Sequence, residues 1–174
     1  DNSISCATCH LQENAFADPV QFSVGFEGAI GDRNSPSLAN LAYVDSLFWD
    51  GGVPTLELQV LAPIHNKLEM NEHIQDVLDK LGGDDVIQQM AMSAYGRKLD
   101  MYVITRAIAA YERTLITGNS KFDKWFYQGQ TTLLSEEEIA GWELFNSETT
   151  NCSSCHSGFN FTDNSFKNVG LYEE

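Results

Sequence analysis

Apolar residues recur with a helical period over most of the middle of the chain. Over 72–81, Ile74, Val77, Leu78 and Leu81 fall at i, i+3, i+4 and i+7. That is one face of an amphipathic helix, with Asn71 as its N-cap and Gly82-Gly83 as its stop. A second short helix is predicted over 84–94, using Val86, Ile87, Met90 and Ala91. A longer one follows Asp100, with Ile104, Ile108, Tyr111 and Leu115 on its apolar stripe and Gly118 past its end. Ser120 is placed to cap a short aromatic helix carrying Phe122, Trp125 and Phe126, closed by Gly129. Ser135 and Glu138 form a capping box that opens a helix through Ile139, Trp142 and Phe145. Alternating β patterns are hard to find, so the fold class is all-α.

The stretch 15–54 breaks this rhythm. It holds Gly25, Gly28, Gly31, Pro36, Gly51, Gly52 and Pro54 among Asn, Ser and Asp residues, a composition that predicts long ordered loops. Such loops commonly wrap a cofactor that itself supplies much of the core.

Composition narrows the function classes. With 174 residues and 43% apolar content the chain can bury a core and is neither disordered nor fibrous. Ten Lys and Arg against 25 Asp and Glu give a net charge of −15, which argues against nucleic-acid binding and suits a partner with a basic docking face. No run of about 18 apolar residues is present to span a membrane, and no signal-peptide pattern opens the chain.

The four cysteines carry the chemistry. Cys6, Cys9 and His10 form one C-x-x-C-H unit; Cys152, Cys155 and His156 form another. Two thiols on one helical turn can each add to a haem vinyl group, and the imidazole that follows then reaches the iron from one face. Zinc sites of the four-cysteine type keep their pairs about 15–20 residues apart, whereas these pairs lie at opposite ends of the chain and carry histidines that zinc would leave unexplained. A thioredoxin-like pair needs a βαβ setting that is missing, and disulfides this short would close tiny loops and stabilise little. Two covalent c-type haems are the expected cofactors. Haem is joined to thiols of this type outside the cytoplasm, so a periplasmic location is expected.

Several runs then become recognisable: Arg33-Asn34-Ser35-Pro36-Ser37-Leu38, Phe48-Trp49-Asp50-Gly51-Gly52, Pro63-Ile64-His65-Asn66-Lys67-Leu68-Glu69-Met70, Ala110-Tyr111-Glu112-Arg113-Thr114-Leu115-Ile116 and Phe122-Asp123-Lys124. In order, and with two haem motifs at this spacing, the chain resembles the bacterial di-haem cytochrome c peroxidases and their MauG-like relatives. The resemblance implies cytochrome c-like haem domains in a two-domain, di-haem arrangement. Residues 1–130 would form the N-terminal, peroxidatic haem domain, and 131–174 the start of the C-terminal, electron-transfer domain. The second domain is expected to be incomplete, because the residues after His156 are too few to build an opposite haem wall.

The resemblance also implies roles. His10 would be the proximal ligand of the peroxidatic haem and His156 that of the electron-transfer haem. Glu69 matches the family's distal acid, Trp49 the tryptophan between the haems, and Asn34 a ligand of a calcium ion at the domain junction. Cleaving a peroxide O–O bond needs a proton moved from one oxygen to the other, which a carboxylate near the iron can do. Without the resemblance, Glu69 reads as a solvated acid before a helix start, Trp49 as a packed aromatic, and Asn34 as ordinary turn chemistry. His65 lies four residues before Glu69 and is a candidate acid–base partner, with a surface or supporting role as the plainer reading.

The implied activity is reduction of hydrogen peroxide to water, with electrons from a small cytochrome c or cupredoxin. A MauG-like oxidation of a protein or organic substrate is the alternative, and a plain di-haem electron carrier a third reading. A homodimer is among the assemblies the resemblance allows. One departure bears on the choice. Many family members carry, in the loop after the first haem motif, a histidine that closes the sixth iron position until the other haem is reduced. Here no histidine stands between His10 and His65, and the loop reads Ser23-Val24-Gly25-Phe26-Glu27-Gly28. The first haem is therefore expected to be five-coordinate or water-bound when oxidised, and to react with peroxide without reductive activation.

Overall fold

The computed structural model describes residues 3–168 and 170 of the chain. Among them the regular elements are helices, and the remaining pairings are isolated bridges, Leu11 with Ala17, Val24 with Ile30 and Leu47 with Val53. Each bridge pins the neck of a loop in the Gly- and Asn-rich stretch. The fold is all-α with long ordered loops, and no described helix is long and apolar enough to cross a membrane.

Two compact units divide the chain, residues 1–116 and 117–174. This division falls before the aromatic helix, whereas the expected domain start at residue 131 falls after it. The first unit contains α1 (Cys6–Cys9), α2 (Leu56–Gln59), α3 (Leu61–His65), α4 (Ile74–Gly82), α5 (Asp85–Tyr95) and α6 (Met101–Glu112). The second contains α7 (Lys121–Phe126) and α8 (Glu136–Phe145), followed by a single 3-10 turn at Cys152–Ser154.

Helix starts follow the capping chemistry. Orphan N–H groups of a first turn need acceptors, and Asp84 accepts from Val86 N, Asp100 from Val103 N, Ser120 from Asp123 N and Ser135 from Glu138 N. The start of α4 is a correction. Asn71 is not its cap: it has φ 46° and lies in a segment folded back on α3, with Asn71 N donating to Asn66 O and Glu72 N to Ile64 O. The helix therefore begins only at Ile74, where two imidazoles serve as acceptors: His65 Nε2 takes the Ile74 N–H at 3.2 Å and His73 Nδ1 the Gln75 N–H.

The first unit has two small cores. Val60, Ile64, Ile74 and Ile104 join α3, α4 and α6, flanked by Leu61, Val77, Leu78 and Ile108. Leu47, Leu56 and Ala109 join the loop bridge, α2 and α6. The buried face of α6 is turned from the expected stripe. Val103, Ile104, Thr105, Ala109 and Glu112 are buried, whereas Tyr111 is 59% exposed. The small side chain of Ala109, packed with Leu56, lets α2 approach closely, and that contact turns this face inward.

Candidate functional site

In the first unit the haem motif is a single helical turn. The Ser5 N–H donates to Thr8 Oγ1 at the start of α1, and the His10 N–H closes its end on Cys6 O at 2.9 Å. Cys6 and Cys9 are free thiols on that turn. The imidazole of His10 is oriented by the loop that follows, its Nδ1 lying 2.8 Å from Phe16 O. A carbonyl can only accept, so Nδ1 carries the proton and Nε2 keeps its lone pair. Ser35 Oγ sits 3.3 Å from that Nε2 and donates to it.

The loop expected to lack an iron ligand packs against the Glu69 turn. Phe26 N donates to Glu69 O at 2.7 Å, and Gly25 is buried so closely that a Cβ there would lie 2.0 Å from Leu68 O. This close approach needs glycine for space, since Gly25 has φ −91°. On the far side of the contact, Asn66 sets the turn: its Oδ1 accepts from Leu68 N, and its Nδ2 donates to Glu69 Oε1 at 2.6 Å. The Glu69 carboxylate is half-buried, and its charge is felt at Cys9. Burial pushes the Cys9 thiol up, the Ser23 hydroxyl opposes this, and the charges of Asp18 and Glu69 add to it. Ser23 also donates to Asp18 Oδ2 at 2.7 Å, so the loop is anchored on the motif side. Loop 23–28 thus touches the Glu69 turn through Phe26 N and the Cys9 thiol through Ser23.

Trp49 and Asn34 are brought together. The indole Nε1 donates to Asn34 O at 2.8 Å, and the neighbouring Arg33 Nη1 pairs with Asp50 Oδ2 at 2.7 Å. The Trp49 ring is 59% exposed. The Asn34 amide nitrogen donates to Val20 O at 2.7 Å and Asp18 O at 3.3 Å, which fixes the orientation of the side chain. Among the described residues no group of three or more His, Cys, Asp or Glu side chains converges on a metal position. His65 is engaged at the start of α4, and its ring lies 5.4 Å from that of His73.

The second motif repeats the first on a smaller scale. Cys152 opens the 3-10 turn, the His156 N–H donates to Cys152 O at 3.0 Å, and His156 Nδ1 lies 3.1 Å from Phe161 O. Phe161 also lines an open cavity of about 460 Å³ together with Phe122, Trp142 and Phe145. Phe122 and Trp142 stand 4.9 Å apart, and Trp142 and Phe161 6.2 Å.

These features fit covalently held haem in both units. Each motif offers two free thiols and an imidazole whose Nδ1 proton is spent on a carbonyl. The loop beside Cys9 turns Val20, Phe22, Val24 and Ile30 outward, an apolar rim that a porphyrin face would cover. The second unit offers its aromatic cavity.

Sequence reasoning gave no role to Asn66, nor to Glu112. Glu112, at the end of α6, is 7% exposed, and its Oε2 has no hydrogen-bond partner. Its place one turn after buried Ala109 was the available signal.

Comparison with known proteins agrees with the geometry. Residues 1–132 match the family of di-haem cytochrome c peroxidases. The chain is 32% identical over 170 residues to the methylamine utilization protein MauG of Methylophilus methylotrophus, covering 97% of this chain and 50% of that protein. It is 34% identical over 175 residues to the cytochrome c peroxidase of Escherichia coli strain K12, covering 100% of this chain and 37% of that one. Among solved structures, a MauG-like protein associated with microbial copper homeostasis superposes with a TM-score of 0.85 at 29% identity, over 93% of this chain and 48% of its own. The chain thus spans about half, or less, of the length of these relatives, and it belongs to the di-haem cytochrome c peroxidase family.

Proposed function

We propose that this chain is the peroxidatic haem domain, with the beginning of the electron-transfer domain, of an enzyme that reduces hydrogen peroxide to water. The observation that carries the reading is the packing of the loop after the first haem motif on the Glu69 turn, with Phe26 N donating to Glu69 O at 2.7 Å. Haem held there would supply the iron and the electrons needed to cleave peroxide. Around it, each residue has a separate task. His10 would hold the iron through Nε2, with its ring fixed by Phe16 O. Glu69 accepts the proton from the near peroxide oxygen and delivers it to the far one, so that the departing oxygen leaves as water. Asn66 holds the carboxylate in place for both halves of that transfer. Two electrons and two protons from outside complete the conversion of one peroxide into two waters.

His156 would hold the second haem, which receives those electrons from a small cytochrome c or cupredoxin, and Trp49 would carry them between the haems. The net charge of −15 favours a donor with a basic face. A periplasmic setting follows from the haem chemistry. Asn34 Oδ1 is the atom offered to a calcium ion, and His65 supports the site by capping α4.

The loop 23–28 favours a resting state ready for peroxide. Phe26 and its neighbours bring no iron ligand to the Glu69 side, which also supports a MauG-like oxidation of a protein or organic substrate. Electron paramagnetic resonance of the full-length oxidised protein, followed by stopped-flow mixing with peroxide, tests the reading. A high-spin ferric signal that peroxide consumes without prior reduction is expected. Only low-spin, doubly ligated ferric haem would overturn the open site. Glu69→Gln should lose peroxide turnover by about 10²–10⁴-fold with both haem spectra kept, and unchanged turnover would remove Glu69 from the mechanism. Accumulation of oxidised substrate without donor oxidation would favour the MauG-like reading.

A further inference from the structure

The carboxyl of Glu112 is more than nine-tenths buried, yet its Oε2 has no hydrogen-bond partner and no solvent. The cation beside it is committed elsewhere: Arg113 donates from Nη1 to Glu57 Oε1 at 2.7 Å and from Nη2 to Glu57 Oε2 at 3.2 Å. That fork pairs α6 with α2 and leaves Glu112 without a counter-charge of its own. Three ionisable groups act on or with it: Arg113 on its own helix, Glu57 on α2 and Cys6 on α1. Burial pushes the Cys6 thiol up, and the Glu112 charge adds to that, so the carboxyl sits within electrostatic reach of the first haem-attachment cysteine. Once Cys6 is a thioether it no longer titrates, and a haem there further excludes water from the carboxyl.

We propose that Glu112 is the proton-holding group of the first haem site, a positioning residue that takes up one proton when the attached haem gains an electron and releases it when the electron leaves. The proposal rests on the reading that Cys6 and Cys9 carry a haem. The balance is simple: one electron from an external reductant enters the haem, one proton from water forms the O–H bond of the carboxyl, and the net charge of the buried region is unchanged. A charge change in a low-dielectric region is costly unless it is compensated nearby, and Glu112 is a buried group there without a partner to hold it in one state. Burial raises its pKa to about 7, so exchange falls in the physiological range.

The test uses the full-length haem-loaded protein and two readouts other than activity. The midpoint potential of the first haem, followed by spectroelectrochemistry, should fall as pH rises from about 6 to 8 in the native protein. It should be flat in Glu112→Gln, which fixes the neutral form. Glu112→Asp, which keeps a carboxyl, should retain the slope with a displaced midpoint. Redox-difference infrared spectra of the native protein should contain a protonated carboxyl C=O band that is absent from Glu112→Gln. An unchanged slope in Glu112→Gln overturns the proposal, as does a native spectrum without a redox-linked carboxyl band, even where the variant fails to fold. Haem counting separates the two readings. Unmodified thiols at Cys6 and Cys9 by mass would overturn both, while a haem present with a pH-independent potential would overturn the role of Glu112 alone.

Discussion

His10 Nδ1 donates to the backbone carbonyl of Phe16 at 2.8 Å, and Phe16 holds that carbonyl in place from the left-handed region, with φ 60°. The second motif repeats the arrangement with His156 and Phe161, at φ 53°. Two separate loops thus use the same strained conformation to aim a carbonyl at an imidazole, which fixes the tautomer and leaves Nε2 for a metal.

Phe16 should therefore be replaceable by glycine but not by a β-branched residue. Glycine adopts φ near 60° freely, while valine there is a steric outlier. Phe16→Gly is expected to leave the first haem's potential unchanged. Phe16→Val should loosen the hydrogen bond, make the imidazole a weaker donor to ferric iron and raise the potential. A tenfold weaker preference for the ferric state corresponds to about 59 mV, which spectroelectrochemistry resolves. Equal potentials in the two variants would remove the carbonyl from the tuning of the haem.

Asn66 offers a milder handle on Glu69 than removing the acid itself. Its Nδ2 donates to Glu69 Oε1 at 2.6 Å, while its Oδ1 shapes the turn through Leu68 N. Asn66→Asp keeps the turn acceptor but sets a like charge against Glu69, so the carboxylate should be displaced. Peroxide turnover is expected to fall roughly tenfold, by analogy with outer-shell partners of active groups. Turnover equal to that of the native protein would show that Asn66 does not position the acid.

Gly25 is a purely steric requirement. A methyl group there would lie 2.0 Å from Leu68 O and 2.8 Å from Glu69 O, both backbone atoms that cannot swing aside. Gly25→Ala should cost about 2–3 kcal/mol through overpacking and lower the thermal midpoint. Because Phe26 N also holds Glu69 O, turnover should drop with it. An alanine variant of native stability would mean that the two loops separate at little cost.

Much of this was readable from the residues alone, and the reasons are local. Asp84, Asp100, Ser120 and Ser135 mark helix starts because a side-chain acceptor two or three positions before a free N–H needs no tertiary partner. The two C-x-x-C-H units are legible because covalent attachment demands fixed spacing. What escaped depended on packing. Helices α2 and α3 are four and five residues long, too short for a period to register. The covered face of α6 was set by α2 against Ala109, so Tyr111 lies outward and Glu112 inward, the reverse of what their polarity suggests. The cap of α4 moved from Asn71 to His73 because 70–72 folds back on α3 first.

The inward turn of Glu112 has a consequence for stability that can be measured separately from haem potential. Its pKa is about 7 in the fold against an ordinary value of 4.5. The folded protein therefore holds more protons than the unfolded chain between those two values, and stability falls as pH rises through that window. Below about 4.5 both states are protonated and the carboxyl costs nothing extra; above about 7 both are ionised and the buried charge carries its full cost. Arg113 and residual solvent around the group reduce that cost, so roughly 1–2 kcal/mol is expected. Glu112→Gln should match the native denaturation midpoint near pH 4 and exceed it at pH 8. A variant that is less stable than the native protein at pH 8 would mean that the carboxylate is held by a favourable partner after all, and that its ionised form belongs to the fold.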